Sequence, residues 1–327
     1  MEETIPSITQ QMNMQLQLDD WLIKHKLYTH HGECASYIPA LQKANPTDLG
    51  ICLISQDGMI LKSGNVDTSF TLQSISKVIS FIAVCIDYGI SQVLEYVDVE
   101  PTGDAYNSIF RLEINQPGRP FNPMINAGAL TVSSMLNGDS PTEKLNRILD
   151  LIEKMIGRRP TINNEVFQSE WETANRNRSI AYWLKETGYL KSEVEETLEV
   201  YLKQCAIEIT AYDLAIIGLV LAKDGRHPFT NEQIIPKKVT RLAKTLMLTC
   251  GMYNYSGKFA AFVGIPAKSG VSGGIMAAVP PRSAEKAPFS NGWGIGVYGP
   301  AIDQYGNSTG GVMLLKHLAE NWDMGIF

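Results

Sequence analysis

The sequence predicts an α+β fold in which an antiparallel sheet is interrupted by a mainly helical insertion. Three observations carry this expectation. A hairpin pattern lies within the first 63 residues, helical pattern marks Ser74 to Tyr88 and dominates from Thr142 to Lys223, and strand composition returns after Lys258 before a closing helix. The expected division is a sheet lobe of residues 1–70 and 255–327 and a helical lobe of 71–254. A chain of 327 residues with 44% hydrophobic content is long enough to fill two such lobes.

Taken in order, Gln10 to Lys24 and Cys34 to Lys43 show the i, i+3, i+4 apolar spacing of helices packed on one face. Leu49 to Ser55 and Met59 to Ser63 read as strands, and Gln56-Asp57-Gly58 supplies the turn chemistry of a tight hairpin. From Ser74 to Tyr88, apolar residues surround the segment nearly completely and Gly89 follows as a C-cap, which predicts a core helix. Helices are predicted over Thr142 to Ile156, Ser179 to Thr187, Ser192 to Cys205 and Tyr212 to Lys223, separated by Gly, Pro and Asn. Phe259 to Ile265, Gly274 to Val279 and Gly294 to Tyr298 read as strands, and a helix from about Gly311 to Asn321 closes the chain. No internal repeat is present, which excludes a solenoid.

Composition removes several function classes. The 34 acidic and 28 basic side chains are mixed along the sequence with no block of Lys or Arg, so neither nucleic acid nor an anionic membrane is an expected partner. Met1 to Asp20 is polar and lacks the apolar stretch of a secretory leader, and the most apolar run, Val78 to Ile90, is too short to span a bilayer. A cytoplasmic protein is expected. The five cysteines, Cys34, Cys52, Cys85, Cys205 and Cys250, form no CxxC pair and read as structural thiols. His30-His31-Gly32 lies in a polar loop without a supporting catalytic motif, and no cluster has metal-ligand spacing. Neither a cofactor nor a metal is expected.

The chemistry concentrates at Thr71-Leu72-Gln73-Ser74-Ile75-Ser76-Lys77, an S-x-x-K motif where a strand or loop gives way to the core helix. Residues three apart share a helix face, so Lys77 is expected one turn from Ser74, while the helix N-terminus directs positive potential at the hydroxyl. Lys77 acts as a base only when neutral, which from the usual lysine pKa requires about 4 to 5 kcal/mol at pH 7 unless burial or another cation assists. Lys268, in Lys268-Ser269-Gly270, is a candidate for that second cation. The Gly-rich edge after it, Val271-Ser272-Gly273-Gly274, offers a backbone N–H as an oxyanion donor.

The pair S-x-x-K and K-[ST]-G, flanking a helical insertion, resembles the serine β-lactamase and penicillin-binding superfamily, which implies a β-lactamase/transpeptidase-like fold. A narrower resemblance covers roughly Tyr28 to the C-terminus. Tyr37-Ile38-Pro39, Gln73 to Lys77, Pro123 to Ala129, Ser169-Glu170, Arg176-Asn177, Tyr201 with Cys205, Gly251-Met252-Tyr253 and Lys268 to Gly274 are similar, in order and spacing, to the serine-dependent glutaminase family. This resemblance implies hydrolysis of the side-chain amide of L-glutamine through Ser74, with Lys77 and Tyr253 as proton-transfer partners. It further implies substrate contacts from Tyr37, Gln73, Asn126, Glu170, Asn177, Tyr201 and Tyr253, an oxyanion hole from the main chain of Ser74 and Val271, and a homo-oligomer. The residue types suit a zwitterion, whose ammonium needs a carboxylate and whose carboxylate needs neutral donors. A penicillin-recognising hydrolase and a non-catalytic amino-acid sensor stand as rival readings.

Overall fold

The computed structural model describes residues 8–114, 118–281 and 291–327. The first seven residues of the polar N-terminal stretch lie outside them. The main sheet has five strands, β1 (Gly50–Ser55), β2 (Ile60–Gly64), β5 (Ala267–Ser269), β6 (Gly274–Val279) and β7 (Trp293–Tyr298), in the order β2-β1-β7-β6-β5, with every neighbouring pair antiparallel. β3 (Phe70–Thr71) and β4 (Glu208–Ile209) form a separate antiparallel pair. The hairpin predicted around Asp57-Gly58 is present, with Ile54 opposite Ile60.

Both faces of this sheet are covered, which explains why its strands are nearly continuously apolar. Along β1, Ile51 and Leu53 join a core formed with the Ile8–Lys26 and Thr309–Trp322 helices, through Leu18, Leu22, Leu314 and Leu318. The alternate residues Cys52 and Ile54 join the core on the opposite side, with Ile79, Ile148, Leu214 and Leu246 of the helical region. The Ala211–Ala222 helix, which the expected division 71–254 placed in the helical lobe, lies directly on the sheet. A Cβ on Gly294 would sit 1.9 Å from Ala215 O, and one on Gly296 1.9 Å from Ala211 O. Glycine at these two positions of β7 lets helix and strand meet backbone to backbone. The helix itself is buried on all sides from Asp213 to Ala222.

The remaining helices largely follow the predicted positions: Pro141–Ile156, Asn175–Glu186 and Val194–Cys205, with further helices at Asn126–Met135, Asn164–Thr173 and Lys237–Cys250. Ser76–Tyr88 is buried at every residue from Ser76 to Cys85 and ends at Gly89, whose φ of 82° suits the C-cap. Two expectations fail. Cys34 to Lys43 is no α-helix, since Pro39 opens a short 3-10 turn, Pro39–Lys43, and residues 35–38 are irregular. Phe259 to Ile265 is no strand but part of a helix, Ser256–Phe262, whose short apolar run gives no periodicity that separates the two states. The third strand of the C-terminal region is instead β5, containing Lys268 and Ser269. No helix among the described residues is long and apolar enough to cross a membrane.

Candidate active site

The β3–β4 pair and the Leu72 N–H, which donates to Ile207 O at 2.8 Å, tie the chain before Ser74 to the end of the Val194–Cys205 helix. Gln73 then adopts a left-handed backbone, φ 49°, which a residue with a Cβ rarely takes and which turns the chain sharply. Ser74 consequently sits in a 3-10 turn, Gln73–Ile75, directly ahead of the core helix rather than within its first α-turn. Ser76 Oγ donates to Gln73 O at 2.7 Å and locks that turn. Facing it, β5 runs into the turn at Gly270–Gly273, where Ser272 Oγ donates to Thr71 O at 2.5 Å. A Cβ on Gly270 would lie 2.5 Å from Leu72 O, so glycine allows the two turns to approach. The turn closes through Gly270 N to Gly274 O and Gly273 N to Gly270 O, both 2.9 Å, neither of which uses the Val271 N–H.

Eight of the ten sequence-predicted site residues, Tyr37, Gln73, Ser74, Asn126, Glu170, Asn177, Tyr201 and Val271, line one cavity of about 340 Å³. Of the other two, which do not line it, Lys77 bonds to Asn126 of the lining and Tyr253 lies beside Ser74. Asn126 is the hub. Its Oδ1 accepts from Lys77 Nζ at 2.6 Å and from Tyr201 Oη at 3.2 Å, and its Nδ2 donates to Asn177 Oδ1 at 3.0 Å. Gln73 Nε2 donates to Glu170 Oε2 at 3.1 Å, so the residue beside the nucleophile orients the carboxylate across the cavity. Lys77 Nζ reaches Met124 O as well, at 3.4 Å, and among the described residues no hydrogen bond joins it to Ser74. The hydrogen bonds of Lys77 thus go to Asn126 and Met124 instead of to Ser74, which stands in the 3-10 turn ahead of the helix.

Burial dominates the electrostatics. Lys77 is fully enclosed, and desolvation lowers its pKa to about 8 against the opposing pull of Cys205 and Glu170. Glu170 is raised to about 7 by desolvation, with Gln73 and Lys77 acting the other way. Lys268 is pushed well below the ordinary lysine range by burial and then by Lys77. Burial thus drives both Lys77 and Lys268 towards their neutral forms, and their like charges oppose one another. Lys268 Nζ donates to Ser269 O at 2.6 Å and lies 4.4 Å from the centre of the Tyr253 ring. Tyr253, whose φ is 52°, is held neutral by burial. Ser74 is near enough to favour its ionised form slightly, while its buried hydroxyl makes no hydrogen bond of good geometry among the described residues.

Sequence reasoning missed Tyr106 and Asn107 and gave Arg176 no role beyond its place in a motif, yet all three line the same cavity. Tyr106 and Asn107 stand in a polar stretch without periodicity, where no local signal marks them. Cys205 also lines the cavity, and burial holds its thiol protonated. The five cysteines are all free; Cys52, Cys85 and Cys205 are buried, whereas Cys34 and Cys250 are partly exposed.

The glutaminase family model matches residues 32–327. Glutaminase 1 of Bacillus subtilis is 62% identical over 327 residues, the full length of both chains. The crystal structure of a Bacillus subtilis probable glutaminase superposes with a TM-score of 0.91 at 60% identity, covering 97% of this chain and 98% of that one. A Bacillus subtilis glutaminase solved as a covalent complex with 5-oxo-L-norleucine, formed by reaction with 6-diazo-5-oxo-L-norleucine, has a TM-score of 0.87 at 59% identity over 95% of this chain and 99% of that one. With a serine turn, a buried lysine and a polar cavity already assembled, and with the family model spanning all but the first 31 residues, this chain belongs to the glutaminase family.

Proposed function

We propose that Ser74 is the nucleophile with which this chain hydrolyses the side-chain amide of L-glutamine to L-glutamate and ammonia. The observation that carries this reading is the convergence of Ser74 with Gln73, Asn126, Glu170, Asn177, Tyr201 and Val271 on one cavity that offers both a carboxylate and neutral donors beside the serine. Glu170 offers a carboxylate to the α-ammonium, and the amides of Asn126 and Asn177 with the Tyr201 phenol offer neutral donors to the α-carboxylate. The Tyr37 phenol closes the near side. The covalent complex of the Bacillus subtilis relative supports attack by an enzyme nucleophile.

Ser74 Oγ attacks the carboxamide carbon while its proton passes, by way of the Tyr253 hydroxyl, to neutral Lys77. The Ser74 and Val271 N–H groups receive the developing oxyanion. The C–N bond breaks, Lys77 returns the proton to the departing ammonia, and water then attacks the γ-glutamyl ester by the same route. At pH 7 neutral Lys77 requires about 1.4 kcal/mol from a pKa of about 8, against 4 to 5 from the ordinary value, so burial supplies most of the activation. The scheme needs no cofactor and no metal.

Of the rival readings, β-lactam hydrolysis does not call for a carboxylate placed to meet an α-ammonium, and amino-acid sensing without turnover does not call for a depressed lysine. A cytoplasmic location belongs to the same proposal. So does a homo-oligomer, for which exposed Phe110 and Tyr182 leave apolar surface to cover. The test is Ser74→Ala: ammonia release from glutamine should vanish, glutamine should still bind by calorimetry, and 6-diazo-5-oxo-L-norleucine should add mass to the parent alone. Residual turnover within tenfold of the parent overturns the nucleophile assignment.

A further inference from the structure

We infer that Tyr106 determines leaving-group size, confining the reaction to unsubstituted amides that depart as ammonia. This deepens the proposed glutamine hydrolysis at Ser74 and rests on it.

Three cavities meet at Tyr106. The inner one, about 340 Å³, holds Ser74; a second, about 610 Å³, runs outward past His31, Glu33 and Tyr305; a third, about 570 Å³, lies towards Cys250 and Phe327. The inner and outward cavities share just three lining residues, Tyr37, Tyr106 and Val271, and the inner and third share Tyr106 alone. Since Val271 belongs to the oxyanion turn, the boundary stands at the reacting end of the substrate and not at its zwitterionic end. A group attached to the amide nitrogen therefore has to extend through the space that Tyr106 occupies.

The barrier is fixed rather than loose. Asn126 N donates to Tyr106 O at 2.8 Å, and Arg176 Nε donates to Asn107 O at 3.0 Å. Asn254 Nδ2 donates to Gly103 O at 3.0 Å and to Asp104 O at 3.2 Å. Each anchor is a site residue or the immediate neighbour of one, namely Asn126, Asn177 and Tyr253. The ring itself packs 5.1 Å from that of Tyr253, with its phenol towards Tyr37. The residues that place the substrate thus also place the wall its amide faces, and steric exclusion of this kind acts on the transition state of the substituted substrate alone.

The experiment compares kcat/KM for glutamine, γ-glutamylglycine and γ-glutamyl-p-nitroanilide in the parent, Tyr106→Phe and Tyr106→Ala. Expected is a rise of tenfold or more in the ratio of substituted to unsubstituted substrate for Tyr106→Ala, which joins the cavities. Tyr106→Phe, of equal size, should hold the ratio within twofold. A merely structural role lowers all the rates together and leaves the ratio flat, which overturns the inference, as does a parent that cleaves the anilide as well as glutamine. If Tyr106→Ala does not fold, Tyr106→Leu, shorter in reach yet apolar, reads the same ratio. An active Ser74→Ala variant would sink the acyl-enzyme reading without moving this ratio, so the two failures are distinguishable.

Discussion

Replacing Lys77 with Met should destroy turnover and make the protein more stable. Burial lowers the lysine from 10.5 to about 8, so holding it in the fold costs on the order of 3 kcal/mol at pH 7. Methionine has similar length and no charge to desolvate. What it loses is the bond to Asn126 Oδ1, worth about 1 kcal/mol, and a long, weak one to Met124 O, while the Asn126 oxygen keeps the Tyr201 hydroxyl as donor. The net gain is about 2 kcal/mol, several degrees in Tm. The pH dependence gives the sharper test. Because the folded pKa lies below the unfolded one, the parent's penalty is full below pH 8 and fades as pH rises towards 10.5. The advantage of Lys77→Met should therefore be flat from pH 6 to 8 and shrink to less than about 1 kcal/mol by pH 10. Denaturant titrations of both proteins at pH 7 and pH 10 measure it. A variant less stable than the parent at pH 7, or an advantage unchanged at pH 10, refutes the reasoning.

Activity should climb with pH on its acid side through two ionisations, since Glu170 near 7 must be charged to hold the ammonium and Lys77 near 8 must be neutral. Ammonia assays should show log kcat/KM rising with a slope near one between pH 7 and 8 and approaching two below pH 7; a single slope of one throughout would remove one group from the scheme. Glu170→Gln should flatten the lower limb, raise KM for glutamine and narrow its preference over N-acetylglutamine, and an unaffected variant would remove the carboxylate from substrate binding. Gly270→Ala places a Cβ 2.5 Å from Leu72 O and should shift the Val271 N–H away from Ser74. Its kcat should fall by about 100-fold with KM little changed, and a fall in substrate affinity alone would contradict the oxyanion role.

What the sequence made legible was whatever local pattern decides. The core helix after Ser74, the Asp57-Gly58 hairpin and the closing helix each rest on periodicity or turn chemistry, and each is found where expected. Ordered motifs likewise brought Tyr37, Asn126, Glu170, Asn177 and Tyr201 to one cavity although they are scattered from residue 37 to residue 201 of the chain. Tertiary context decided the rest. Pro39 broke an amphipathic pattern, and the first four residues of the strand expected at Phe259 to Ile265 lie in a helix. That Lys77 and Lys268 are both depressed depends on their full enclosure in the fold, which no spacing encodes. Tyr106 matters through the three spaces it divides, and a sequence has no representation of empty space.

The helix laid backbone to backbone on Gly294 and Gly296 bears on how this protein comes apart. Its sheet side meets β7 with no side chain between, while its far side belongs to the core that includes Ile148 and Leu246 of the helical region. Peeling the helical region away would strip that helix from one partner or the other and expose apolar surface on both. A shared element of this kind couples the two halves energetically, so calorimetry should record one melting event with equal van't Hoff and calorimetric enthalpies instead of two staggered ones.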